Sequence, residues 1–157
     1  MLNAMTLNGP AAAALPEATL RAAVAAALAG DATVSAYVGD RVTYGMMSQG
    51  RANDACGIAY QVVSLTRPTA LDSPLTIQQA RVQVAIASTN ALDVEDAAEA
   101  TRRLFHGFTG TLAGTIDVKE CRLDAERDLP QEPVDGSDRW THRTVLDLMI
   151  RYVEARP

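Results

Sequence analysis

The sequence predicts an α+β fold: a mainly antiparallel sheet of four to five strands, packed by two helices and carrying a long hairpin arm. Three observations carry that prediction. In Arg81 to Ile86, Val82, Val84 and Ile86 alternate with Arg81, Gln83 and Ala85, the period of a strand with one face on a core. Directly after it the period changes: Val94, Ala97, Ala98, Thr101, Leu104 and Phe105 recur at three- and four-residue steps, one stripe of a helix that can lie back across the strand. Near the C-terminus, Trp140, His142, Thr144, Leu146, Leu148, Ile150 and Tyr152 alternate with Thr141, Arg143, Val145, Asp147, Met149, Arg151 and Val153, the longest strand pattern in the chain.

The elements follow in order around this unit. Met1 to Pro16 reads as a loose extension, and residues 17–157 as a single domain. Leu20, Val24 and Leu28, four apart on an alanine background, predict the first helix, which Gly30-Asp31 ends. Thr33 to Val38 adds a short turn, and Arg41 to Tyr44 a brief strand. Gly45 to Gly57 has neither period and is expected to be a mobile loop. Ile58 to Leu65, rich in Val, Ile and Tyr, is expected to pair as an antiparallel hairpin with the Arg81 strand through a turn at Leu71 to Pro74. Asn90 or Asp93 can cap the long helix, Arg102 and Arg103 suit its partially negative end, and Gly107 is its stop. Thr109 to Gly114 reads as a glycine-punctuated turn, and Thr115 to Leu123 as a third long strand. Apolar Val145, Met149 and Val153 imply that the second face of the last strand is partly covered, by a helix or a neighbouring subunit.

Between those last strands, Asp124 to Asp138 holds six acids against the single base Arg127. Pro130 and Pro133 break its regularity, so it is expected to project as the arm.

Composition narrows the chemistry. Alanine supplies much of the 48% hydrophobic fraction and aromatics only 4%, so the core is smaller than the total suggests. No run of about 18 apolar residues exists, which argues against a membrane span, and the N-terminal region lacks the basic start of a secretion signal. A soluble protein made inside the cell is the expectation. A net charge of -5 opposes a phosphate-neutralising groove. Cys56 and Cys121 have no C-x-x-C partner and no histidine at ligand spacing, so both are expected to be free thiols.

Catalytic patterns are missing: no G-x-S-x-G elbow, no phosphate-binding glycine loop, no H-E-x-x-H. His106, at a helix end, suits terminal carbonyls, and His142 sits in a strand. Asp124, Glu126 and Asp128 alternate, so in a regular extended segment their carboxylates would share a face able to hold a hard cation. EF-hand spacing is absent, however, and a solvated acidic turn is the favoured reading. No catalytic residue, cofactor or metal site is therefore expected.

Five segments in sequence order resemble the tail completion and tail terminator proteins of long-tailed bacteriophages and related gene-transfer particles. They are AYVGDRVTYG (Ala36 to Gly45), AYQVVS (Ala59 to Ser64), ARVQVAIAS (Ala80 to Ser88), RLFHGFTGTLAG (Arg103 to Gly114) and ERDLPQEP (Glu126 to Pro133). One departure is Asp54 to Gly57, where that family tends to place a proline.

The resemblance implies a structural virion protein, not an enzyme, assembled in the host cytoplasm. Such a protein forms a six-fold ring at the head-proximal end of the tail tube, ends tube polymerisation and joins tail to head. Its implied partners are copies of itself, the tail tube protein and head-completion or adaptor proteins, with DNA passing through unbound and no membrane involved. The alternatives are a head-completion adaptor ring of the neck or a non-viral α+β binding module. Expected interface residues are Met46, Met47 and Arg51 in the loop, and Asp124, Glu126, Arg127 and Asp128 in the arm. Carboxylates of the arm or of the first helix could also line the DNA channel as a like-charged wall.

Overall fold

The structure, a computed structural model, describes residues 16–45, 55–67, 75–132 and 141–155. The expected extension before Pro16 and the loop residues 46–54 lie outside the described residues, as do the turn at 68–74 and the 133–140 part of the arm. Among the described residues, three helices and six strands follow in the order α1 (Pro16–Gly30), α2 (Ala32–Val38), β1 (Val42–Tyr44), β2 (Gly57–Thr66), β3 (Leu75–Ser88), α3 (Ala91–Phe105), β4 (Gly110–Leu112), β5 (Ile116–Asp128) and β6 (His142–Ala155). They build one mixed sheet in the order β1-β2-β3-β6-β5-β4. The α+β class holds, while the expected two helices and four to five antiparallel strands become three helices and six strands with one parallel pair.

Each difference has a local cause. Where a turn was expected after Asp31, that side chain accepts N–H bonds from Thr33 at 3.1 Å and Val34 at 2.9 Å, and the capped segment becomes α2, burying Val34 and Val38 four residues apart. β1 lies parallel to β2, with Val42 opposite Ile58 and Tyr44 opposite Tyr60. A parallel pair needs a long connection, and the twelve residues from Gly45 to Cys56 supply it. Arg41 ties the far end of that connection to α2: its guanidinium donates to the Cys56 carbonyl at 2.8 Å and the Tyr37 carbonyl at 3.1 Å. β4 occupies part of the expected turn, its three residues pairing with Ile116–Val118 across a bend that places Ala113 and Gly114 at positive φ.

The long patterns hold. β2 and β3 form the expected antiparallel hairpin, and β3 runs beside β6 along its whole length. On one sheet face Ile58, Tyr60, Val82, Val84, Ile86, Leu146, Leu148, Ile150 and Tyr152 are buried together with Leu20, Val24 and Leu28 of α1, and Val94, Ala97 and Phe105 of α3. All three helices pack on this face, α3 lying across β3 and β6 with small Ala97, Ala98 and Ala100 at the contact. Asn90 caps α3, accepting from the Leu92 N–H at 3.0 Å. Gly107, at φ +79°, turns the chain out of the helix. No helix among the described residues covers the second face, yet Val145 is buried there and Met149 and Val153 are half-buried.

The expected arm is corrected at its base. Asp124 to Asp128 belong to β5 and pair with β6, and the ladder continues beyond them. The Leu129 N–H donates to the Arg143 carbonyl at 2.7 Å, and Gln131 and Thr141 exchange bonds at 2.8 and 3.0 Å. Pro130 fits because only the flanking N–H groups of Leu129 and Gln131 point at the partner strand.

Candidate assembly interface

β5 carries four of the seven expected interface residues, and β6 sets where each points. Facing residues of an antiparallel pair share a sheet face. Glu126 opposes Leu146 and Asp128 opposes Thr144, so both lie on the helix-bearing side. Between Leu123 and Ala125 the register slips by a β-bulge, which throws Asp124 to the opposite face, against Arg81 at 3.2 Å. Glu126 instead meets Arg102 of α3 at 3.0 Å, and Asp128 accepts a 2.7 Å bond from the Thr144 hydroxyl. The three carboxylates therefore do not share a face as their spacing suggested: the bulge adds one residue and breaks the alternation.

Each carboxylate also has its own partner. Arg102 bridges Glu126 and Glu99 of its own helix, and the hydrogen bond it donates to Glu126 leads the causes that raise its pKa above the ordinary arginine value. Arg103 joins Glu99 from one helical turn away at 2.8 Å.

On the face without helices a chain of polar side chains crosses four strands. Gln61 of β2 donates to Gln83 of β3 at 3.0 Å, Gln83 donates to Asp147 of β6 at 3.3 Å, and Arg127 of β5 reaches Asp147 at 3.1 Å. The register produces this row by placing Gln61 opposite Gln83, Gln83 opposite Asp147, and Asp147 opposite Ala125, two residues from Arg127. Farther along the same face Arg151 pairs with Glu120 at 3.3 Å, and these two with Gln79, Arg122 and Met149 line a shallow depression. Of this row only Arg127 is among the residues expected at an interface. One available signal was Asp147, a charge set between the apolar Val145 and Met149 on the second face of the last strand.

The remaining expectations divide. Met46, Met47 and Arg51 lie outside the described residues. Cys56 and Cys121 are free and buried, as expected, and burial pushes their thiols up to about 11 and about 12. His106 does not serve helix carbonyls with its ring: Nδ1 accepts the Leu123 N–H at 3.0 Å, while the Gly107 N–H donates to the Cys121 carbonyl at 2.8 Å, so the end of α3 is stitched to β5.

The assembled features are ion pairs and a polar row, the material of a protein surface. The family model described as tail completion protein gp17 matches residues 22–153. This chain belongs to the tail completion protein family. The match runs from within α1 to near the end of β6, so it takes in all six strands but the last two residues of β6, and the polar row. As a tail completion protein the chain is a structural component of a tailed virion. A chain from the virion of a native gene transfer agent particle has the same fold, with a TM-score of 0.62 at 18% identity, covering 86% of this chain and 95% of that one. Comparison with curated proteins gave no match. None of the described helices is long and apolar enough to cross a membrane.

Proposed function

We propose that this tail completion protein assembles as a homo-oligomeric ring, a hexamer, on the head-proximal end of the tail tube. There it stops tube polymerisation and presents a surface to head-completion or adaptor proteins. One observation carries the reading: a chain matched over residues 22–153 by the tail completion model has a sheet whose two outer edges are unlike and, among the described residues, only partly covered. Unlike edges suit head-to-tail contacts, which close into rings when the rotation permits.

The role is structural and not catalytic. The two thiols are buried and held protonated at neutral pH, and Asp124, Glu126 and Asp128 are engaged by arginines and a threonine. DNA passes without specific binding, in keeping with a net charge of -5. Arg81 and Arg102 neutralise Asp124 and Glu126, so a like-charged channel wall would draw on other acids, such as the exposed Glu95 and Asp96 of α3.

Gold-labelled antibody against the protein, applied to purified particles and viewed by electron microscopy, tests the location. Label at the junction of head and tail is expected. Label at the distal tail tip or over the head shell would sink the proposal.

A further inference from the structure

The two sheet edges are left open in complementary places. β1 covers β2 only from Ile58 to Tyr60, with the Gly45 N–H closing on the Tyr60 carbonyl at 2.8 Å, so Gln61 to Thr66 has no outer neighbour among the described residues. At the far edge β4 covers β5 only from Ile116 to Val118, and the end of α3 occupies the Cys121 carbonyl and the Leu123 N–H. That leaves Asp124 to Asp128 without an outer strand among the described residues. Unpaired strand edges are templates for another strand.

Strand direction selects the partner. The four central strands β2, β3, β6 and β5 are antiparallel throughout, and their number is even, so β2 and β5 point in opposite directions. Rotation about a ring axis preserves direction along that axis. The β2 edge of one copy therefore meets the β5 edge of the next as an antiparallel neighbour, which a sheet with an odd number of strands would not allow. The open runs lie toward opposite ends of the sheet, and the stagger this imposes is what a closed ring of tilted strands requires.

Chemistry at the edges agrees. The β2 side has Arg67 and no acid between Gly57 and Arg67, and it exposes Tyr44 and Val63. The β5 run, whose charged side chains are partnered within the subunit, presents no unpaired base to repel Arg67 and leads to exposed Leu129. Each open run also contains a bulge, at Val62/Ser64 and at Leu123/Ala125. Bulges shorten the stretch that can pair, which keeps free subunits from joining edge to edge without limit.

We propose that within the ring the β2 edge of each subunit, around Val63, continues into the Asp124–Asp128 edge of β5 in the next copy. This rests on the ring reading above and names its seam. Val63→Cys and Ala125→Cys leave the ion pairs of Asp124, Glu126 and Arg127 intact, and the native cysteines are buried. The two variants are co-expressed, treated with a short bismaleimide and resolved by denaturing electrophoresis, with native mass spectrometry of the same samples. The expected result is a cross-linked dimer only when both cysteines are present, and a ladder of higher species from the doubly substituted chain. Rings without the mixed cross-link, or self-cross-linking of either single variant, would overturn this seam and leave the ring standing. Absence of rings from the unsubstituted protein at assembly concentration would overturn both.

Discussion

Asp147 and Arg127 meet at 3.1 Å, the carboxylate with only 7% of its side chain exposed and the guanidinium with 55%. The buried partner also accepts a bond from Gln83 at 3.3 Å, so β3, β6 and β5 are tied together through one carboxylate on the face without helices. An acid so placed depends on its donors, because a buried charge without them is costly.

Arg127→Ala should therefore destabilise the fold by about 1–2 kcal/mol, less than for a fully buried pair because the arginine is half in water. Asp147→Asn in the same background should restore part of the loss, since the amide needs no counter-charge. Urea unfolding of the single and double variants measures both. A loss for Arg127→Ala below about 0.5 kcal/mol, the ordinary range for a surface change, would mean that the pair contributes nothing.

Phe105 closes the apolar stripe of α3 at 1% exposure, whereas Leu92, in the first turn of the same helix, is 68% exposed. Phe105→Ala should cost about 3–5 kcal/mol through lost burial and the cavity left behind. Leu92→Ala should change stability by less than about 0.5 kcal/mol. Chemical denaturation of the two variants should separate them clearly, and equal losses would contradict the packing of α3 on β3 and β6.

What the sequence made legible was whatever depends on one element alone. The alternation of Thr144, Leu146, Leu148, Ile150 and Tyr152 and the stripe from Val94 to Phe105 reappear as buried faces. Features set by a second strand were hidden. The bulge at Leu123/Ala125 arises from register with β6, so evenly spaced Asp124, Glu126 and Asp128 looked like one carboxylate face and are not. Parallel pairing of β1 depends on where a twelve-residue connection carries the chain, and β4 is three residues that exist as a strand only beside β5. At the candidate interface, Arg127 was named from its acidic neighbourhood, but its partner Asp147 lies 20 residues away.

Asp31 accepts two N–H bonds at the start of α2, a helix of seven residues with little stability of its own. Asp31→Ala should destabilise by about 1 kcal/mol, and Asp31→Asn, which keeps an acceptor, by a few tenths. Thermal unfolding monitored by circular dichroism provides the comparison. Equal losses for the two would show that the carboxylate contributes something other than the cap.

Cys56 and Cys121 have thiols raised from 9.0 to about 11 and about 12, in each case chiefly by burial. Folding thus favours the protonated thiols, so their contribution is complete below pH 9 and is lost as pH rises from 9 toward those folded values, while the unfolded chain releases its protons first. Stability should fall over that window, and substitution of both cysteines by alanine should flatten the fall. At pH 8 iodoacetamide should leave the native thiols untouched and label both in denaturant. Rapid native labelling would show that the edges of the core open far more readily than the packing indicates.

The central claim is that this tail completion protein ends the tail tube and joins it to the head. Electron microscopy of particles assembled without the protein addresses it most directly. The account predicts tails of uncontrolled, excessive length lying free of DNA-filled heads. Complete particles with tails of normal length would contradict it.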